Sequence, residues 1–240
     1  MLDNNTPPKR VSRWEKPRSG NYGHSNPHGK KTGPKPTFST EEAVQAALDV
    51  GIDRFTLAQV SKRLGVSSPS LYRIARSRAE LVDKCIAYIA DSTPTTALGS
   101  SWQEVLLHFA EEAWKVYEKY PGMDRIVISH PCACVYFQPH LSAYAEAMQA
   151  GNFPGDAEQR AFLLGFVNDI TAVTHLGKTA SELNDGCMIS TEDEFKKFAM
   201  KHAERRRFTP VLVESLYESN VDALRRKVNF AIAAMEAQLS

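Results

Sequence analysis

Residues 56–84, TLAQVSKRLGVSSPSLYRIARSRAELVDK, decide the fold of the N-terminal part of this chain. Thr56 and Gln59 have the spacing of a capping box, which predicts a helix start, and Gly65 supplies the left-handed residue that ends a helix sharply. Ser67 can cap a second short helix, because serine is a favoured N-cap residue. Two short helices joined by a glycine turn are typical of the helix-turn-helix, whose second helix enters the DNA major groove.

The second helix of this pair has a polar face that is suited to DNA. Helical spacing places Leu71, Ile74 and Ala75 on its inner side and leaves hydroxyl, tyrosine and arginine side chains outside. Such groups reach phosphates and base edges, and arginine can donate two hydrogen bonds to guanine. The predicted DNA contacts in this region are Thr56, Ser67, Ser68, Pro69, Ser70, Tyr72, Arg73, Arg76 and Arg78. The alternative is the solvated face of an ordinary pair of helices.

The string GVSSPSLYRIARSRAELVD resembles the signature of the tetracycline-repressor (TetR) family of bacterial regulators. The matching residues are Gly65, Val66, Ser67, Leu71, Tyr72, Arg78 and Leu81. The resemblance implies an all-α fold, with an N-terminal three-helix helix-turn-helix DNA-binding domain and a larger C-terminal helical domain for ligand binding and dimerisation. It also implies a homodimer that binds a palindromic operator in double-stranded DNA.

Charge is distributed unevenly along the chain. Residues 1–36 hold eight lysines and arginines against two acidic residues, whereas residues 91–240 hold 14 basic and 20 acidic residues. A basic end on an acidic body suits a protein that places one end on a polyanion. Lys30, Lys31 and Lys35 are predicted to lie along the DNA backbone or in a minor groove, with a solubilising tail as the alternative.

Proline, glycine and capping residues divide the chain into three predicted parts. They are a flexible basic arm (1–36), the helix-turn-helix domain (37–90) and an effector-binding and dimerisation domain (91–240). Capping boxes of Ser39 with Glu42, Thr56 with Gln59 and Ser77 with Glu80 predict helix starts, and Asn220 is predicted to cap the last helix. A helix is also predicted after Ser67, and others over 78–90, 101–120, 123–129, 138–150, 156–180, 194–206, 210–219 and 220–239. No run of 18 apolar residues occurs in the sequence, so we expect no membrane span and a cytoplasmic protein.

Polar side chains inside otherwise apolar helices of the C-terminal part indicate a ligand pocket. A buried polar group needs a hydrogen-bond partner, and a bound ligand can supply one. The predicted contacts to a small-molecule effector combine such groups with aromatic side chains: Trp102, His108, Phe109, Trp114, His130, Phe137, Phe166, Asn168, Asp169 and His175. For each residue singly, a satisfied polar group of the core or of a subunit interface is the alternative.

Two C-terminal helices are predicted to form the dimer interface. In TetR-like proteins the two most C-terminal long helices pair with their symmetry mates, and here these are about 156–180 and 220–239. The segment 161–176 is apolar on nearly every side, and the last helix has the a/d spacing of a bundle seam. The predicted interface residues are Ala161, Leu164, Val221, Leu224, Val228, Ala231 and Met235, of which those after 220 form an exposed stripe.

The motif HPCAC, with His130, Cys132 and Cys134, supports a different class of function. Histidine and cysteine bind zinc and respond to oxidation, so a metal- or thiol-dependent sensor or enzyme is the alternative hypothesis. The cysteine spacing is shorter than in the usual zinc pairs, and the sequence contains no nucleophile–base motif or phosphate loop. We therefore predict no metal, no cofactor and no enzymatic activity.

The preferred interpretation is a transcriptional repressor that a small-molecule effector releases from its operator. The effector would shift the helix over 78–90 and change the separation of the two recognition helices, which must match the spacing of the half-sites. A constitutive or activating DNA-binding relative without a ligand is the remaining alternative.

Overall fold

All regular structure in the described residues is α-helical, as the sequence predicts. The computed structural model describes residues 38–130, 132–182, 197 and 220–239. The helices are Thr40–Val50 (α1), Leu57–Leu64 (α2), Ser68–Leu71 (α3), Arg78–Ser92 (α4), Trp102–Lys119 (α5), Met123–Ser129 (α6), Ala133–Tyr136 (α7), Gln138–Ala150 (α8), Ala157–Glu182 (α9) and Val221–Leu239 (α10). No strand occurs in these ranges.

Reciprocal hydrogen bonds fix the starts of α1 and α2. The Ser39 hydroxyl accepts the Glu42 N–H at 3.0 Å, and the Glu42 carboxylate accepts the Ser39 N–H at 2.6 Å. Thr56 and Gln59 make the same pair of bonds at 3.2 and 2.8 Å. Gly65 then ends α2 at φ +66°, where a side chain would be strained. The capping boxes and the glycine stop predicted for these helices are confirmed.

Two other helix starts form differently from the prediction. Ser67 is the N-cap of α3, but its hydroxyl lies 2.9 Å from the Ser70 hydroxyl and caps no backbone N–H. The Ser77 hydroxyl accepts the Glu80 N–H at 3.1 Å, as predicted for α4. The Glu80 carboxylate, however, accepts the Arg76 N–H at 2.8 Å, and this bond lowers the pKa of Glu80. Only half of that predicted capping box forms.

One apolar core connects the first four helices to α5, α6 and α7. Phe55, Leu81 and Ile86 are fully buried in it, and Tyr117 and Met123 contribute to the same cluster from beyond residue 90. Burial of this kind stabilises the fold by roughly 25 cal/mol for each Å² of apolar surface removed from water. The core therefore continues across the domain boundary predicted between residues 90 and 91. That boundary stays a prediction.

A second core lies between α5, α8, α9 and α10, and it contains most of the predicted dimer seam. Leu224 and Val228 are fully buried, and Ala231 and Met235 are nearly so, because this face of α10 packs on α5 and α9 of its own chain. The prediction that the stripe is exposed is therefore wrong. The a/d spacing indicates an apolar face but does not tell which chain covers it.

Several predictions lie outside the described residues. They are the arm 1–36 with Lys30, Lys31 and Lys35, and the helices over 194–206 and 210–219. In the part of the chain that is described, no helix is long and apolar enough to cross a membrane.

Candidate DNA-binding surface and ligand cavity

The helix-turn-helix presents a polar surface on α3 and the turn that follows it. Leu71 and Ala75 are buried and anchor this segment to the core, whereas Tyr72, Arg73 and Arg76 are exposed. The α-helix is shorter than predicted and ends at Leu71; the chain then continues in turns, with the Ile74 N–H donating to the Leu71 carbonyl at 2.9 Å. Further polar or exposed groups of this surface are Thr56, Ser67, Ser68, Pro69 and Ser70.

Arg78 has a structural role that the sequence analysis did not predict. Its Nε donates to the Phe55 carbonyl at 2.9 Å, and its Nη2 donates to the Asp53 carbonyl at 2.6 Å. The guanidinium also stacks over the Phe55 ring, 5.0 Å from the centroid. These bonds fasten the start of α4 to the loop between α1 and α2. Arg78 is also exposed, so its assignment as a DNA contact stays a prediction beside this structural role.

A cavity of about 490 Å³ lies in the C-terminal part of the described chain. Its walls come from Thr93 and Pro94, directly after α4, and from α5, α6, α7, α8 and α9. The walls are mainly apolar and include the aromatic side chains Phe109, Tyr117, Phe137 and Tyr144. This volume and this lining are typical of small-molecule sites.

The tyrosine hydroxyls of the cavity are committed to neighbouring protein groups. The Tyr117 hydroxyl donates to Asn168 Oδ1 at 3.1 Å. The Tyr144 hydroxyl lies 3.3 Å from the Thr96 carbonyl, to which it donates, and 3.0 Å from His108 Nδ1. Burial raises the pKa of both tyrosines, so they remain neutral phenols.

His140 has one satisfied and one unsatisfied ring nitrogen. Its Nε2 lies 2.9 Å from the Thr93 carbonyl, and because a carbonyl only accepts, Nε2 carries a proton. Its Nδ1 is buried and has no hydrogen-bond partner among the described residues. A buried polar atom without a partner is costly, and a ligand that provides one would remove the cost.

Helix α6 connects the cavity to the helix-turn-helix. Arg125 forms a 2.8 Å ion pair with Asp53 in the loop after α1, and His130, which lines the cavity, lies 3.1 Å from the Asp83 carboxylate on α4. On the opposite side, Asp124 accepts a 2.9 Å hydrogen bond from His175 of α9, and both side chains are buried. A displacement of α6 would therefore disturb the contacts that it makes with α4 and with the loop before α2.

Comparison with known proteins identifies the N-terminal domain. Residues 40–85 match the family of bacterial regulatory proteins described as the tetR family. This segment is a tetR-family domain.

The chain is also similar to two curated HTH-type transcriptional regulators. It is 27% identical over 105 residues to the HTH-type transcriptional repressor DrrR1 of Streptomyces coeruleorubidus, a match that covers 41% of this chain and 39% of the relative. It is 29% identical over 112 residues to an uncharacterized HTH-type transcriptional regulator, MT2310, of Mycobacterium tuberculosis, covering 45% of this chain and 58% of the relative. The matches thus span about two fifths to three fifths of the relatives' lengths.

Outside the tetR-family domain, the structure brings half of the predicted effector residues together. The cavity is lined by Phe109, His130, Phe137, Asn168 and Asp169. It is also lined by Ala161 and Leu164, which the sequence analysis assigned to the dimer interface.

The other predicted effector residues do not line the cavity. Trp102 packs edge-on against Phe153, and Trp114 packs edge-on against His175, whose Nδ1 bonds Asp124. His108 is one step removed, because it contacts the lining residues Tyr144 and Glu112 without lining the cavity itself, and Phe166 is on the surface. His108 and His175 are thus satisfied polar groups of the fold, which was the alternative interpretation of each.

The HPCAC motif does not form a metal site in the described residues. His130 pairs with Asp83, the thiols of Cys132 and Cys134 are exposed, and no group of three or more histidine, cysteine or acidic side chains is suitably arranged for a metal in the described ranges. Cys85 is buried in the tetR-family domain, and burial raises the pKa of its thiol to about 12.

Two sets of residues were missed by the sequence analysis. The first consists of cavity residues on α5 and α8, where Glu112, His140 and Tyr144 follow ordinary amphipathic spacing and gave no separate signal. The second consists of exposed apolar side chains on α9 and α10. Phe162 and Phe230 are 66% and 77% exposed, and Phe162 stacks on Phe166 at 6.3 Å. The apolar character of α9 on nearly every side was the available signal for Phe162.

Proposed function

We propose that this chain is a homodimeric transcriptional repressor of the cytoplasm, which binds a palindromic operator and is released by a small-molecule effector. The proposal rests on the exposed polar surface of the tetR-family domain. Contacts through α6 connect this domain to a cavity large enough for a small molecule. The similarity to a repressor named DrrR1 supports the same class of function.

In the proposed complex, α3 and the following turn face the major groove. Tyr72 and the arginines Arg73 and Arg76 are exposed on a buried backing of Leu71 and Ala75, so they can contact DNA without disturbing the core. Arginine supplies phosphate or guanine contacts, and the serine hydroxyls supply shorter ones. In this proposal Lys30, Lys31 and Lys35 add contacts to the phosphate backbone.

The dimer in this proposal uses the outer faces of α9 and α10. Phe162, Phe166, Val173 and Phe230 are large apolar side chains that remain exposed in the single chain. Contiguous exposed apolar surface marks protein interfaces, and a palindromic operator requires a two-fold symmetric protein. These residues replace the buried Leu224 and Val228 as the expected contacts between subunits.

Release by the effector follows the connection through α6. A ligand in the cavity would contact Met123, Val127 and His130, which lie on or directly after this helix. Movement of α6 would then act on the Arg125–Asp53 and His130–Asp83 pairs and reorient the tetR-family domain. A ligand achieves this only if it binds the released arrangement more tightly than the DNA-bound one.

The proposal is tested by measuring DNA affinity with matched variants. An operator selected from random double-stranded DNA on the full chain is titrated by fluorescence anisotropy. Tyr72→Ala and Arg73→Ala should weaken specific binding about tenfold or more each, since a base or phosphate contact contributes roughly 1–3 kcal/mol. Tyr88→Ala, at a partly exposed tyrosine of α4, and Arg225→Ala, at an exposed arginine of α10 that pairs with Glu111 of α5, are the controls and should leave affinity unchanged. Equal affinities in all four variants would reject the DNA-binding surface.

A further inference from the structure

The charged groups that line the cavity are of one sign. Glu112 of α5 and Asp169 of α9 both line it, whereas no lysine or arginine is among its described lining residues. Glu112 is partly buried and Asp169 is exposed, and the two carboxylates give the cavity wall a negative potential, which attracts cations and repels anions.

The lysine nearest to these carboxylates lies outside the cavity lining. Lys115 pairs with Glu112 at 2.6 Å and offsets part of its charge, but Lys115 is 65% exposed and does not line the cavity. His108 lies 3.7 Å from the same carboxylate. Asp169 has no hydrogen-bond or ion-pair partner among the described residues, and its charge adds to the effects of burial and of Asp124 in raising the pKa of Tyr117.

The neutral polar groups of the cavity are also rich in acceptors. His140 is 9% exposed; its Nε2–H is used by the Thr93 carbonyl, which leaves the lone pair of Nδ1 without a donor in the described part of the chain. Gln138 donates its amide N–H to the Ser142 hydroxyl at 3.3 Å, so its carbonyl oxygen remains available. The cavity therefore contains hydrogen-bond acceptors that have no protein donor, and a ligand with N–H groups can donate to them.

Aromatic rings complete this arrangement. Phe109, Phe137, Tyr117 and Tyr144 line the same space, and Phe109 packs edge-on against Tyr144 at 5.0 Å. Ring faces attract cations by roughly 0.5–2 kcal/mol each, most strongly where water is excluded. Apolar rings with carboxylates between them favour a molecule that is both lipophilic and positively charged.

We propose that the cavity binds lipophilic organic cations, namely aromatic or polycyclic amines whose N–H groups face Glu112, Asp169 and His140 Nδ1. This inference rests on the proposed effector role of the cavity and specifies the chemical class of the effector.

Two dyes that share one ring system but differ in charge test whether the cavity prefers cations. Rhodamine 6G is a lipophilic cation with N–H groups, and fluorescein carries the same xanthene rings with negative charge. Each is titrated into the full-length protein and followed by fluorescence polarisation. We expect rhodamine 6G to bind at least about tenfold more tightly than fluorescein, the equivalent of about 1.4 kcal/mol. Equal affinities, tighter binding of fluorescein, or no binding of rhodamine 6G up to about 1 mM would overturn the proposal.

Charge-removing variants locate the effect in the cavity. Glu112→Gln and Asp169→Asn should each weaken rhodamine 6G binding roughly tenfold, since a hydrogen bond to a charged group contributes about 1.5–3 kcal/mol, and should leave fluorescein binding equal or tighter. Glu118→Gln removes a carboxylate from the same helix outside the cavity, where Glu118 pairs with Lys178, and is the matched control. If Glu118→Gln weakens binding as much as Glu112→Gln does, the selectivity arises from overall charge and the cavity assignment is wrong.

Operator titrations separate this inference from the function on which it rests. A protein that binds its operator but prefers fluorescein retains the proposed function and refutes the ligand class. A protein that binds rhodamine 6G selectively but no operator supports the cavity chemistry and refutes the repressor proposal.

Discussion

Phe230 provides the sharpest test of how two chains associate. It is 77% exposed on α10, whereas Leu224 on the same helix is fully buried. Moving a phenylalanine side chain from water into an apolar interface contributes roughly 1.5–3 kcal/mol. Scaled by the exposed fraction and counted in both subunits, Phe230→Ala should remove about 3 kcal/mol from the dimer, which is roughly a hundredfold in its dissociation constant.

Analytical ultracentrifugation over a dilution series measures this constant, and urea unfolding of the diluted monomer measures subunit stability. Phe230→Ala should shift the monomer–dimer midpoint to about a hundredfold higher concentration and leave the monomer's unfolding midpoint unchanged. Leu224→Ala is the matched control on the same helix, and it should destabilise the monomer itself by about 2–5 kcal/mol through a cavity in the core.

Two results would refute this reasoning. A dissociation constant for Phe230→Ala within about threefold of the unmutated protein would exclude the outer face of α10 from the interface, because about 0.7 kcal/mol is too little for a buried phenylalanine. An unmutated protein that is monomeric at micromolar concentration would exclude the homodimer as a whole.

Three further outcomes are expected. At pH 8, iodoacetamide should alkylate Cys132 and Cys134 in the native protein but leave Cys85 unmodified until unfolding, because burial raises the pKa of the Cys85 thiol to about 12; peptide mass spectrometry reads each site. Arg78→Ala should lower the free energy of unfolding by about 1–3 kcal/mol, measured in urea, because carbonyls of the α1–α2 loop lose a charged donor. Hydrogen bonds from Gln45 and Arg63 lower the pKa of Asp49 below 3.8, so its stabilisation is present above that pH and is lost as the pH falls further; in Asp49→Asn the decline measured by acid titration of stability should be shallower.

Local features of the fold were predictable from the sequence, because they depend on neighbouring residues. The boxes at Ser39 and Thr56, the stop at Gly65 and the bounds of α6 all follow from side chains within a few positions of the helix end. Asn220 likewise caps α10 as predicted, with its Oδ1 accepting the Ala223 N–H at 2.8 Å.

Features that depend on distant contacts were not predictable in the same way. The spacing of Leu224 and Val228 indicates an apolar face, but only the packing of α10 on α5 and α9 shows that their own chain covers them. The sequence shows Arg78 only as a basic residue near the predicted recognition helix. Its hydrogen bonds could not be predicted, because they reach carbonyls more than 20 positions away. Glu112 and His140 lie on separate helices whose meeting at one cavity is a property of the tertiary fold.

The apolar core shared by α1, α2, α4 and α6 has a consequence for how the chain unfolds. Since Tyr117, Met123 and Ile126 are buried against the tetR-family domain, that domain lacks part of its interior when residues beyond 92 are removed. Heat should therefore melt both regions in a single cooperative transition, and a fragment ending after α4 should be a fluctuating, protease-sensitive chain. The part of the chain that folds cooperatively is therefore longer than residues 40–85, the segment that matches the tetR family.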